Sequence, residues 1–451
     1  MKRFILTCFL FGSSFISICQ NVGIGTTTPD ASARLDVKSS TTGALMPRMT
    51  STERKAIINP ATGLLVFDTV EKTLYMFDGV NWLGFAALTD FQRPAVNLEH
   101  GPDAAQINTF MGYSVSMWDQ WAAVGAPYVK VNGVATGVVY MYYYEGGQWQ
   151  YRSTIAPPTS NAGSVFGVSV SIKGNYLAVG SPSAKDFNNL QFGAAFVYKL
   201  VGNVWALTNT VYGTTTGTDF ASSVAINLTG TVLCTAETGA QVGGKIAAGK
   251  VHIFYKPGSA YILNQSLQDP QPTDFENFGT RLALSASGNN LAIGAPYKTV
   301  GAFIANGYLG FWDRSGGPWG QAYSYLPAGK KDLNIGANLD ITDNKIAFSV
   351  GGLNEAHYQN LNQSGASTRV YSDVIYGISL DPVNEVMNVF SGNALYKQPA
   401  GGTSYKLKII STDEVPMLPG LLSGYNGKII AGLPVNQNKE KPYLGAVYFY
   451  E

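Results

Sequence analysis

Few side chains in this 451-residue chain have the type and spacing that chemistry requires. The three histidines, His100, His252 and His357, lie far apart and share no ligand spacing, so a histidine metal centre is not expected. Two windows, 239–245 and 244–250, fit G-x-x-x-x-G-K. In both, however, the next residue is Ile246 or Val251, where a phosphate loop needs Ser or Thr for magnesium, and a strand pattern follows where a helix is required. They read as one glycine-rich loop. A glycosidase needs two facing carboxylates, which distant segments can bring together without any local signature. Asp186, Asp274, Glu276 and Glu355, all on long connections, are the candidates, with solvated loop charge as the plainer reading. No G-x-S-x-G elbow occurs, and Cys234 sits on an apolar strand, where it reads as a small buried hydrophobe. The chain is therefore expected to be non-enzymatic, with no cofactor.

Composition excludes other classes. With 30 basic and 29 acidic residues, the net charge of +1 leaves no basic footprint for nucleic acid or an anionic membrane surface. Gly and Pro number 51 and 21, the chain has 55 aromatics, and only 13% of its residues are charged while its apolar content is ordinary, so neither disorder nor a highly charged coiled coil fits. No stretch after the first twenty residues has the roughly 18 apolar residues of a membrane span.

The elements that must position any site come from an internal repeat. Each unit has an apolar residue with Gly, an alternating strand, a tight turn, a second apolar strand ending in Gly-Ala-Pro or a relative, a variable loop, then Gly and an aromatic strand. Clear copies pair Phe110-Met111-Gly112 with Gly125-Ala126-Pro127, Phe166-Gly167 with Gly180-Ser181-Pro182, and Phe278-Gly279 with Gly294-Ala295-Pro296. Third strands open at Gly137, Gly193, Gly249 and Gly445, and Trp149, Trp205 and Trp319 open fourth strands, where they are expected to pack between units. Lys173-Gly174-Asn175, Ser287-Gly288-Asn289 and Asn426-Gly427 are hairpin turns. Successive second-strand landmarks lie 55, 56 and 58 residues apart from Gly125 through the decayed Thr235-Ala236 to Gly294. Further landmarks fall near Val350, at Ser391-Gly392 and at Gly432-Leu433-Pro434, which makes seven units.

Seven four-stranded antiparallel units bury their faces when arranged radially. The expected fold is all-β, a seven-bladed β-propeller spanning residues 89–451. Its last unit stops at Glu451 without a fourth strand. Complete units open that strand 15 to 17 residues before the next apolar-Gly pair, and counting back 17 from Phe110 reaches Arg93. Pro94-Ala95-Val96-Asn97-Leu98 is therefore predicted to complete the final blade beside Tyr448 and close the propeller.

On these motifs the chain resembles FG-GAP repeat proteins, the family that includes the integrin α-subunit propeller. The resemblance covers about residues 90–451 and is degraded in the third, fifth and sixth units. It implies extracellular adhesion or ligand binding. It would also imply calcium in the loops between first and second strands, but Lys173-Gly174-Asn175, Leu228-Thr229-Gly230, Ser287-Gly288-Asn289 and Thr342-Asp343-Asn344 each carry at most one carboxylate, so calcium is not expected there.

Residues 1–19 read as a Sec signal peptide, with Lys2 and Arg3 ahead of an apolar run and a cut before Gln20. Ile18 stands where a lipobox has a small residue, so lipid attachment at Cys19 is the less favoured route to the envelope. Residues 20–88 form a small β-rich module. Val22-Gly23-Ile24-Gly25-Thr26, Pro29-Asp30, Ala33-Arg34-Leu35-Asp36-Val37, Pro47-Arg48-Met49-Thr50 and Gly63-Leu64-Leu65-Val66-Phe67-Asp68 resemble the leader of Bacteroidetes surface and tail-fibre-like proteins. That resemblance implies a secreted or cell-surface protein, with the module as a candidate oligomerising stalk.

The second connections, residues 128–136, 183–192, 237–248 and 297–306, are long and must share one face. Variable loops on a rigid scaffold are where recognition concentrates. Tyr128, Phe187, Tyr297 and Phe303 are the candidate contacts there for a protein or glycan. A carbohydrate-active enzyme on the same face and the passive head of a surface fibre are the alternatives.

Overall fold

The computed structural model describes residues 21–70, 73–79, 82–84, 97–99, 102, 106, 108–158, 162–314, 317–325, 332–361, 368–372, 374–391, 394–398, 405–409, 422–433 and 445–450. Expectations for the signal segment with Cys19, for Pro94, Ala95 and Val96, and for His100, Gly392 and Pro434 fall outside these residues. The chain divides into two compact units, 1–92 and 93–451.

In the first unit, Val22–Ile24 pairs in parallel with Leu35–Val37. A four-stranded sheet follows, from Arg48–Met49, Leu65–Asp68, Thr73–Phe77 and Trp82–Gly84, with its first pair parallel and the rest antiparallel. The helix Ser51–Lys55 begins where Thr50 and Glu53 cap each other reciprocally. Its Arg54 is buried, donates to Asp68 at 3.0 Å and lies 3.5 Å above the Tyr75 ring. The parallel pair leaves Val22, Ile24, Leu35 and Val37 exposed.

The second unit is all-β. Among the described residues it contains seven successive four-stranded antiparallel sheets, five of them from consecutive strands, while the first is interrupted by the two-stranded ribbon Lys130–Val131 with Val134–Ala135. The seventh takes Leu422–Tyr425, Lys428–Leu433 and Ala446–Tyr450 and adds Asn97–Glu99 as its fourth strand, with Leu98 opposite Tyr448. The fifth and sixth sheets, hard to delimit by pattern, run from Leu339–Ile341 to Thr368–Ser372 and from Ile375–Leu380 to Tyr405–Ile409. Their second connections are short, since Glu355 follows Val350 closely and Ser391 pairs directly with Ala394.

The repeated residues turn out to be the contacts between sheets. Within a sheet, Gly167 N donates to Gly180 O at 3.0 Å, and Gly112 with Gly125 and Gly279 with Gly294 repeat the bond. Between sheets, a methyl on Gly125 would sit 2.0 Å from Gly167 O, and one on Gly294 2.1 Å from Gly336 O. Only glycine permits that approach. In the third sheet Ala221 stands where Gly167 and Gly279 stand, yet keeps a φ of 65°. Each first strand packs on the first strand of the next sheet, and that of the seventh packs on that of the first.

The fourth-strand tryptophans pack between sheets as expected. Trp149 stacks on Phe449 of the seventh sheet at 4.9 Å, Trp205 meets Trp121 of the first edge-on at 5.6 Å, and Trp319 donates to Tyr255 of the third at 2.7 Å. Cys234 is buried within a hydrophobic cluster, and burial raises its pKa, as for a small buried hydrophobe.

Candidate functional site

The first strand of every sheet is an edge, and its unpaired backbone groups need partners. Side chains from neighbouring first strands supply them. Ser423 accepts from Met117 N at 3.0 Å, Ser116 from Ile172 N at 3.0 Å, Ser169 from Val224 N at 3.0 Å, and Ser171 from Ile226 N at 3.2 Å. Asp340 accepts from Leu380 N at 2.8 Å, and Arg281 donates through Nε to Ala337 O at 3.1 Å. The serines of this register tie neighbouring first strands together.

Two cavities lie along these strands. The first, of about 360 Å³, is lined by residues from all seven first strands and by the hairpin turns of the fourth, fifth and sixth sheets. Lys173 reaches across it to Leu284 O, with Asp340 and Asp343 facing its ammonium. Burial lowers the Lys173 pKa while those carboxylates act to raise it; burial raises the Asp340 pKa against the pull of Lys173. The turns also tie sheets together. Asp343 Oδ1 accepts from Ser287 N at 3.2 Å, and Asp381 accepts from Asn426 N and Gly427 N at 3.0 and 2.6 Å. Their oxygens serve backbone amides. Among the described residues no three His, Cys, Asp or Glu side chains cluster as a metal site.

The second cavity, of about 540 Å³, lies at the other end of the first strands, where the second connections begin. Tyr113, Thr238, Asn277, Thr280, Arg281, Tyr297 and Asn334 contribute to its wall. Burial lowers the Arg281 pKa, and the phenols of Tyr113 and Tyr297 are the described ionisable groups that oppose this. Tyr297 remains 51% exposed at the rim. Of the four sequence candidates, only Tyr297 belongs to the described lining. Tyr128 instead packs its ring on Phe110 at 5.1 Å, Phe187 projects from its loop 93% exposed, and Phe303 forms a tight turn with Val300.

Arg281 and Tyr113 escaped the sequence reading, although one signal was present. Counted from the apolar-Gly pair, Arg281 occupies the register of Ser114, Ser169 and Asn338. A long cation where other units carry a small polar residue on a first strand should project into shared space.

The other candidates for chemistry are occupied locally. Asp186 accepts from Asn188 N and Leu190 N at 2.9 Å each, closing its own loop. Asp274 pairs with Lys245 at 3.3 Å and accepts from Ile246 N at 2.9 Å. Glu276 is buried beside Lys298 and Asp269, and burial followed by Asp269 raises its pKa. Glu355 contacts His357 at 2.9 Å, and His252 bridges Glu237 and Ser266 at 2.8 Å each. The phosphate-loop lookalike is a turn in which Val242 and Lys245 exchange backbone bonds before the strand Lys250–Tyr255.

Two family models match the chain. Residues 149–198 match the FG-GAP repeat, covering the fourth strand of the first sheet and most of the second sheet. The chain carries an FG-GAP repeat at these residues. Residues 23–97 match the phage tail like trimerisation region, so the tail-fibre-like character of the leader stands beside the FG-GAP unit. No curated protein matches the chain. No helix among the described residues is long and apolar enough to cross a membrane.

Proposed function

We propose that the FG-GAP unit is a closed seven-bladed β-propeller. It acts as an exported, non-enzymatic binding protein that recognises a protein or glycan through the face carrying the long second connections. The cyclic order of first-strand packing supports the ring, as do the contacts of the seventh sheet with the first, Phe449 on Trp149 and Gly445 bridged to Met111. One observation carries the recognition reading: the larger cavity opens beside Tyr297 on that face. Propeller mouths of this kind are lined by variable loops on a scaffold whose core is already satisfied.

A glycan and surface-protein binding array, repeated with Tyr297→Ala and with Tyr128→Ala, tests the reading. Loss with Tyr297→Ala and a smaller effect of Tyr128→Ala are expected. Binding unchanged in both removes the face assignment, and turnover of a polysaccharide favours the carbohydrate-active enzyme.

The trimerisation match favours a second reading, in which the unit is the head of a surface fibre. The leader would oligomerise and bury the exposed Val22, Ile24, Leu35 and Val37 face, giving a homotrimer at the cell surface after signal-peptide export in a Bacteroidetes-like bacterium. Light scattering of the full chain with and without Ile24→Asp separates trimer from monomer.

A further inference from the structure

We infer that Lys298 and Asp269 become joined by a side-chain amide bond, formed within the folded chain with Glu276 as the proton carrier. The inference stands apart from the binding role proposed above. Asp269 and Glu276 lie on the link between the third and fourth sheets, and Lys298 on the second connection of the fourth. All three side chains are at most 4% exposed. Lys298 Nζ donates to Asp269 Oδ2, to Gln271 O and, at 3.1 Å, to Glu276 Oε2. The backbone of Lys298 is pinned on both sides, its N donating to Ala295 O at 3.2 Å and its O accepting from Gly307 N at 3.1 Å. Pro270 and Pro272 stiffen the segment that carries Asp269. Holding an amine against a carboxyl makes their condensation an intramolecular step.

The remaining contacts supply the chemistry. Asp269 Oδ1 accepts from Gln271 N at 2.9 Å, a donor that stabilises this oxygen as Cγ is attacked and stays with it as the amide oxygen. Glu276 Oε2 is held by Thr273 N and Oγ1 at 3.0 Å each, while its buried Oε1 has no hydrogen-bond partner. Burial followed by Asp269 raises the Glu276 pKa, which favours a proton on this carboxyl. Lys298 passes one proton to Asp269 Oδ2 and attacks Cγ as the free amine, forming the C–N bond. Glu276 takes a second proton from Nζ and returns its own to Oδ2; the Cγ–Oδ2 bond breaks, water leaves, and Glu276 ends as it began. A buried ammonium and carboxylate become a neutral amide, which removes the cost of burying charge. The Tyr308 ring, 5.7 Å from Nζ, adds an apolar wall. Other described lysine pairs lack this setting: Lys245 and Asp274 are 47% and 48% exposed, and Glu385 beside Lys345 is 27% exposed. The bond fastens the turn bearing Tyr297 to the link that precedes the fourth sheet.

Mass spectrometry of the full chain tests this, on samples that first show a cooperative melting transition and are then denatured. The wild-type mass should be one water lower than the sequence requires, and the tryptic peptides carrying Asp269 and Lys298 should appear as a single branched species. Lys298→Arg, which keeps the ion pairs, and Asp269→Ala should both have their full masses. Glu276→Gln should slow the joining by roughly a hundredfold or more, as expected for a lost proton carrier. Full wild-type mass after prolonged incubation overturns the inference. So does a lost water confined to one peptide, which a cyclic imide would give, or a lost water that persists in Lys298→Arg. Joining in Glu276→Gln at the wild-type rate overturns the role of Glu276.

Discussion

Glu237 shows how neighbouring donors keep a buried carboxylate ionised. Burial pushes its pKa up, but the hydrogen bonds from His252 at 2.8 Å and Thr218 at 2.6 Å outweigh that, and the carboxyl sits below its ordinary value. A depressed folded-state pKa contributes stability that is complete above the unfolded value, near 4.5. That contribution is lost as pH falls through the lower folded value. Thermal melts between about pH 3 and pH 7 should therefore drop on the acid side, and Glu237→Gln should flatten that limb while lowering the melting point at neutral pH. A variant melting curve parallel to wild type across this window would remove Glu237 from the account. Lys298 works by a different balance, because it holds two buried carboxylates at once, Asp269 and Glu276.

At the scale of elements, the repeat is a set of clasps, and its weakest point is visible. The position after the first aromatic requires a left-handed backbone and is glycine at 167 and 279, with φ of 86° and 98°. The third sheet has Ala221 at a φ of 65°, fully buried, with its carbonyl against Gly180. A non-glycine residue in that region costs roughly 1 kcal/mol. Ala221→Gly should therefore raise the unfolding free energy by about 1 kcal/mol, less the small burial term of one methyl, measured as a shift in urea midpoint. A lowered midpoint would mean that packing of the Ala221 methyl outweighs backbone strain. The same clasps explain why the degraded copies stay foldable: Gly307 still bridges Ile335, although neither belongs to a clear sequence match.

For the whole molecule, the decisive joint is the seventh sheet, whose fourth strand comes from residues 97–99. Without it Ala446–Tyr450 becomes an unpaired edge. A chain covering 100–451 should be less stable than one covering 93–451 by on the order of 2–3 kcal/mol, at about 1 kcal/mol per ladder bond, and more prone to aggregate. Adding a peptide of residues 93–99 should restore part of the difference. Equal melting of the two chains would show that the final strand is dispensable and would weaken the ring.

The number of units, their four-strand composition, the tight turns and the packing role of the tryptophans were legible in the sequence. They depend on period-2 alternation and on glycine, whose requirements are local. The pairing of Leu98 with Tyr448 was also legible, since counting strands exposes a missing member. The cavity wall was not. Tyr113 and Arg281 stand far apart in the chain, and only the tertiary arrangement of the sheets brings their groups to one wall. Loop aromatics such as Phe187 and Phe303 share a composition with Tyr297 but not its position, because a loop's direction is set by its own hydrogen bonds. Asp186 turns one loop back on itself and the Val300 and Phe303 exchange folds the other, whereas Tyr297 sits in the turn from Ala295 to Lys298 that follows the strand Asn290–Gly294. Local chemistry thus determined the elements, and only long-range packing decided which side chains share a site.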